Sequence, residues 1–302
     1  MTKPLTIVGS VALDTIETRA GKREEILGGA ATYIAISAGF FGPVNLVAVV
    51  GDDFPKGHID LLSRCHVNLD GLKTEKGRTF RWAGKYADDF SSRETLNTEL
   101  GVFETFDPEI PESYKNSDFA LLGNIHPALQ LKVLDALNDR TFVAADTMNL
   151  WIDITPDELN QMIKRVNLLV INDEESMLLT GEPQIAVAAE KIQANGGPEY
   201  LIIKRGEHGA WLFAENTRFF TPALPLRDVS DPTGAGDTFA GGLMGYLAAK
   251  GEASPENIKT GMVYGSAVAS RAVEAFGADE LAKATRSDLD ERFNAILNLT
   301  RI

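Results

Sequence analysis

Two carboxylates, a run of small residues and a helix start lie together in Asp231-Pro232-Thr233-Gly234-Ala235-Gly236-Asp237. Pro232 and the small residues read as a turn. The stretch from Asp237 to Lys250 reads as a helix, with Phe239, Leu243, Tyr246 and Leu247 on one apolar face. The first amides of a helix have no partner inside it, and the aligned peptide dipoles favour negative charge there. Backbone NH groups of Gly234, Ala235 and Gly236 would therefore hold phosphate oxygens, since no large side chain blocks the approach. A carboxylate in the first turn, Asp237, is then placed to take a proton from an attacking hydroxyl. That is phosphoryl-transfer chemistry. The same residues would equally make a capped surface turn, and their spacing alone does not choose between the two.

Such a turn must be carried by a scaffold. Apolar runs of strand length at 5–9, 44–50, 119–122, 142–145, 168–171 and 200–203 alternate with segments of helical period at 30–40, 129–138, 185–195 and 258–272. That alternation is the pattern of an α/β fold, a mostly parallel sheet covered by helices. Two polar segments, at about 15–27 and 78–101, break it and read as added hairpins. In the second, strand alternation puts Phe80, Trp82 and Tyr86 on one face and Arg81 and Lys85 on the other.

Composition narrows the functional classes. The chain of 302 residues is 44% hydrophobic and 24% charged, enough to bury a large core. Its net charge of -14 would repel nucleic acid and anionic lipid surfaces. A single cysteine, Cys65, excludes an intramolecular disulfide framework and suits a reducing compartment. The four histidines lack ligand spacing, which argues against zinc. No uncharged stretch reaches membrane-spanning length, and the start is too short in apolar residues for a signal peptide, so a cytoplasmic protein is expected.

The run from Asp231 to Met244 resembles the C-terminal signature of the ribokinase or PfkB carbohydrate kinase family, and Gly51-Asp52-Asp53-Phe54-Pro55-Lys56-Gly57 resembles a second, looser one. The resemblance implies a ribokinase-like three-layer sandwich, a central mostly parallel sheet with a small β lid, as one kinase domain over 1–302. It implies that Asp237 is the catalytic base and that Gly234, Ala235 and Gly236 form the anion hole. Asp14, after the first strand, takes the place of a sugar-binding carboxylate, and Gly28-Gly29 that of a substrate-contacting glycine pair. Family members often carry Asn where this chain has Tyr33. Arg81 on the lid would clamp a charged or polyhydroxylated substrate with its planar fork of donors. Asn124 and Asn149, each just after a strand, would address sugar hydroxyls, with His126 beside them, because ligands of open α/β sheets bind at the strand ends.

On the nucleotide side, Asn172 and Glu175 resemble an Asn-x-x-Glu motif whose Glu positions Mg2+, often through water. Lys204, Gly206 and Gly209 resemble the segment that lines the ATP site. Asp231 and Thr233 match the neighbourhood of a monovalent cation, potassium. The expectation is therefore an ATP-dependent kinase acting on a hydroxyl of a sugar or sugar-like compound, with a homodimer through the lid as in some relatives. A nucleoside kinase of the same family is the nearest alternative, and a non-catalytic sugar-binding regulator a more distant one. A dehydrogenase is disfavoured, since no Gly-x-Gly-x-x-Gly follows the first strand.

Overall fold

In a computed structural model, which describes residues 4–301, the chain forms thirteen strands. They are β1 (Leu5–Val8), β2 (Ala12–Thr18), β3 (Gly21–Gly28), β4 (Val44–Gly51), β5 (Val67–Glu75), β6 (Arg81–Tyr86), β7 (Arg93–Glu99), β8 (Phe119–Leu122), β9 (Phe142–Ala145), β10 (Leu168–Asn172), β11 (Tyr200–Lys204), β12 (Ala210–Ala214) and β13 (Thr217–Thr221). Nine make one sheet in the order β13-β12-β11-β10-β9-β8-β1-β4-β5. From β11 to β5 every neighbouring pair is parallel, and β12 and β13 close one edge as an antiparallel hairpin.

Both faces of this sheet are buried, so successive residues of one strand enter different cores. Leu168 and Val170 pack with residues of the helices Ala30–Gly39, Ala235–Lys250 and Pro255–Ala272. Leu169 and Ile171 pack with Val133, Leu159 and Ile192, from Pro127–Ala136, Pro156–Ile163 and Ile185–Ala194. The expected three-layer α/β architecture is the one observed. Two parts escaped the sequence pattern. Strand β5 is an edge strand with only Val67 and Gly71 buried, and β12–β13 forms a hairpin rather than continuing the alternation with helices. No helix among the described residues is long and apolar enough to cross a membrane.

A second sheet, β3-β2-β6-β7, gathers both polar segments. The hairpins β2–β3 and β6–β7 become one lid because β2 and β6 run parallel, Leu13 opposite Arg81 through Glu17 opposite Lys85. Asp53, in the looser of the two signatures, anchors this lid. Its carboxylate accepts from the Thr79 amide at 2.7 Å and the Thr79 hydroxyl at 2.6 Å, and it pairs with Arg81 Nη2 at 2.8 Å. The three lid aromatics do not act as one face. Phe80 stacks on Phe103 at 5.3 Å, the Trp82 indole donates to Thr95 at 3.3 Å, and the Tyr86 hydroxyl meets Thr233 at 3.0 Å.

Candidate active site

In parallel α/β sheets the loops after the strands gather at one end. Here that end carries Ser10 after β1, Asn124 after β8, Asp146 after β9, Asn172 closing β10 and Lys204 closing β11. The helix Ala235–Lys250 starts with Gly234 as its N-cap, at φ +71° and with no side-chain cap. A Cβ at Gly234 would come 2.4 Å from Tyr33 Cδ2, so both the left-handed backbone and the packed ring demand glycine. The amide ladder differs from the sequence expectation in one place. Ala235 N donates to Pro232 O at 3.2 Å and closes the turn on itself, so its amide is spent. Among the described residues, the amides of Gly234, Gly236 and Asp237 have no protein acceptor. The open donors are thus Gly234, Gly236 and Asp237 rather than three consecutive residues from Gly234.

Asp237 projects from this helix start into a cluster of charge. Burial pushes its carboxyl up to about 7, the Asp146 charge adds to the rise, and Lys204 and Arg93 oppose it. Asp146 is itself buried, and burial raises its carboxyl against the pull of Lys204, whose Nζ lies 3.7 Å away. Burial works against the Lys204 charge, but Asp146, Glu175 and Asp237 outweigh it and hold the ammonium above its ordinary range. Lys204 Nζ also sits 2.8 Å from where a Gly236 Cβ would be. The turn therefore carries open amides with an ammonium beside them, an arrangement chemically suited to phosphate oxygens on two counts.

Glu175 stands behind this ammonium. Asn172 and Glu175 form a capping box, in which Glu175 N donates to Asn172 Oδ1 at 2.7 Å and Asn172 N to Glu175 Oε2 at 2.8 Å. Burial raises the Glu175 carboxyl to about 7, with Asp146 adding to the effect. Its Oε1 has no protein partner among the described residues. Gly206 and Gly209 frame the turn after β11, where Arg205 N donates to Gly209 O at 2.8 Å. Asp231 is buried, and each oxygen takes a backbone amide, from Thr233 at 2.9 Å and Gly277 at 3.4 Å.

On the opposite side, Asp14 is buried against the glycine pair, its Oδ2 accepting the Gly29 amide at 3.4 Å. A Cβ at Gly28 would lie 1.9 Å from that oxygen, which explains the pair: Asp14 occupies the space a side chain would need. Burial pushes the Asp14 carboxyl up to about 7, the Asp231 and Asp237 charges add to this, and Arg93 counters them. Tyr33 lies between these groups, buried, with its hydroxyl unpaired.

Three expected substrate residues are otherwise engaged. Arg81 is spent on the lid's own framework, bonded to Glu25 at 2.9 Å, Asp53 at 2.8 Å and Thr79 O at 3.0 Å. Asn124 is used at both ends of its amide, donating to Met148 Sδ at 3.0 Å and accepting from Trp151 Nε1 at 2.7 Å. Asn149 is exposed and accepts the Leu150 amide at 3.0 Å, which is ordinary turn chemistry. His126 caps a helix, its Nδ1 accepting from Ala128 N at 3.1 Å. Sequence reasoning missed Asp146 and Arg93 as charged neighbours of Asp237. Asp146 carried the signal that flagged Asn149, a polar residue directly after a strand; Arg93 carried none, because only strand register brings it to the cleft.

Residues 5–285 match the pattern of the pfkB family carbohydrate kinases. A cytidine kinase of Thermococcus kodakarensis is 32% identical over 273 residues, covering 85% of this chain and 93% of that protein. Among solved structures, the Methanocaldococcus jannaschii nucleoside kinase superposes with a TM-score of 0.77 at 22% identity, covering 97% of this chain and 99% of its own. The Arabidopsis thaliana ribokinase complexed with ribose and ATP gives a TM-score of 0.77 at 21% identity, again over 97% and 99%. With its sheet, its lid and its Gly-Ala-Gly-Asp helix start all in family order, this chain belongs to the pfkB family of carbohydrate kinases.

Proposed function

We propose that the protein transfers the γ-phosphoryl group of ATP to a ribosyl hydroxyl of a nucleoside. The observation that carries the transfer is the uncapped start of Ala235–Lys250, where open amides, the Lys204 ammonium and the Asp237 carboxyl converge. The similarity to a cytidine kinase over most of both chains supports a nucleoside acceptor, and the family supports a free sugar as the second reading.

In this reading Asp14 orients the acceptor through its hydroxyls and Asp237 accepts the proton of the attacking one. A bond forms between that oxygen and the γ-phosphorus as the bond to the β,γ-bridging oxygen breaks, and ADP leaves with the electron pair. The open amides of Gly234, Gly236 and Asp237, together with Lys204, stabilise charge on the transferring oxygens. Asn172, Gly206 and Gly209 border the nucleotide side. No cluster of three or more metal-ligating side chains occurs among the described residues, which fits a Mg2+ held by phosphates and water with Glu175, through its free Oε1, as the protein's contact. Mg2+ would supply charge neutralisation at the phosphates. A monovalent cation fits beside Asp231, a buried carboxylate with backbone partners and, among the described residues, no cationic side chain paired with it.

ATP consumption measured with cytidine, uridine, adenosine, inosine, ribose and fructose tests the proposal. Turnover with a nucleoside at a kcat/KM at least about tenfold above that of any free sugar is expected. Preference for a sugar would replace the acceptor, and no turnover with any of them would overturn the kinase reading.

A further inference from the structure

The cleft is short of positive charge on its acceptor side. Asp14, Asp146, Glu175, Asp231 and Asp237 surround it, and Lys204 stands on the sheet side, drawn towards Asp146. A phosphoryl group moving away from Lys204 towards an alcohol beside Asp237 and Asp14 would meet, beyond the open amides of the turn, only carboxylates as charged neighbours, unless the lid supplies a cation.

The lid supplies one. Arg81 and Lys85 are tied to Glu25, Asp53 and Glu17, but Arg93 has no carboxylate partner among the described residues. Its backbone lies opposite Tyr86 in the β6–β7 ladder, and the Tyr86 hydroxyl is 3.0 Å from Thr233 Oγ1, in the phosphate turn itself. That bond, between residues 147 positions apart, pins the root of Arg93 next to the turn. The guanidinium rests over the Trp82 ring, 5.2 Å from its centroid, and bonds to the Tyr86 hydroxyl, which orients it while leaving the rest of its fork of donors open. Its charge is felt at both Asp14 and Asp237, the two carboxylates that bracket the reacting alcohol.

We propose that Arg93 is a catalytic residue that receives the transferring phosphoryl group on the acceptor side, its fork donating to the phosphoryl oxygens as the new O–P bond forms and holding the phosphate of the product. The proposal rests on the kinase reading above. It makes Tyr86 a positioning residue, acting through Arg93 and Thr233.

The test compares binding of acceptor and product, cytidine and CMP or whichever acceptor pair the parent turns over, by calorimetry. Arg93→Ala should weaken binding of the phosphorylated partner by about tenfold to a hundredfold, the range of a lost charge-assisted hydrogen bond. Binding of the free acceptor should fall less than about threefold, because that contact is to phosphate alone. Its kcat should drop at least about a hundredfold and recover in part with added guanidinium ion. Arg93→Lys, which keeps charge but loses the fork, should fall between. Lys85→Ala, on the same lid and exposed, should leave both affinities as in the parent. Equal losses for acceptor and product, or no rescue by guanidinium, would overturn the assignment. A parent inert towards every acceptor would overturn the kinase reading instead.

Discussion

Two helices begin at the same end of the sheet and treat their free amides in opposite ways. The helix Asp173–Thr180 closes its start with a reciprocal capping box between Asn172 and Glu175. The helix Ala235–Lys250 starts on a left-handed glycine with no side-chain cap, and keeps the Gly234, Gly236 and Asp237 amides unpaired. A glycine in place of a good side-chain cap costs about a few tenths of a kcal/mol. In the proposed transfer, the difference marks where local stability is given up for charge stabilisation. Both starts hold a carboxylate raised to about 7 by burial, but Glu175 is locked by its cap while the Asp237 carboxylate has no hydrogen bond among the described residues.

The contrast can be broken at the open end first. Asp237→Asn should lower kcat by roughly a hundredfold to ten-thousandfold, the range for a lost general base, while the far-ultraviolet circular dichroism stays that of the parent. In the parent, kcat/KM should rise with pH through about 7, as Asp237 loses its proton, and the variant should lose that limb. Stability gives a second readout. The folded carboxyl titrates above its ordinary value of 3.8, so the folded state holds the proton more tightly than the unfolded chain. Its contribution is greatest below about pH 4 and declines as pH rises towards 7. The thermal midpoint of Asp237→Asn should therefore fall less steeply between pH 4 and 7 than that of the parent, and parallel curves would contradict the placement of this group.

Gly234→Ala tests the turn without touching an ionisable group. The alanine would need φ +71° and would press on the Tyr33 ring, so a stability loss of about 1–3 kcal/mol by urea unfolding is expected. A kcat loss of at least about tenfold should accompany it as the amides shift. Retained kcat in the variant would show that the open amides do not meet the phosphoryl group. Asn172→Ala, at the closed end, should have the smallest effect, about 1 kcal/mol of stability, and a smaller loss of kcat/KM than Gly234→Ala. The reverse order of activity losses would mean that the capped start, not the open one, faces the reaction.

The same contrast explains which parts of the site were legible. The turn from Asp231 to Asp237 and the Asn172 to Glu175 box are local in sequence, so residue types at fixed spacing foretell them. Even there, the spending of the Ala235 amide on Pro232 depended on backbone angles that spacing does not reveal. Asp14 was legible as a carboxylate after a strand, but its seat against Gly28, 14 positions further on, was not. Two of the lid arginines mark the limit. Arg81 looked free and is bound to Glu25 and Asp53, and Arg93 drew no notice yet its charge lowers the carboxyls of Asp14 and Asp237.

The amino-acid sequence by itself determined the alternation of buried strands and amphipathic helices, the glycine-rich helix start and the acid upon it, because these follow from periodicity and from interactions within a few residues. Only the tertiary structure decided which charges share the cleft. Asp146, Lys204 and Glu175 meet because β9, β10 and β11 pair in parallel and end together, and the charge of Arg93 reaches Asp14 and Asp237 because the lid's register sets it opposite Tyr86. Electrostatic coupling acts through space, and the positions that share it are fixed by strand order, which no local stretch of residues records.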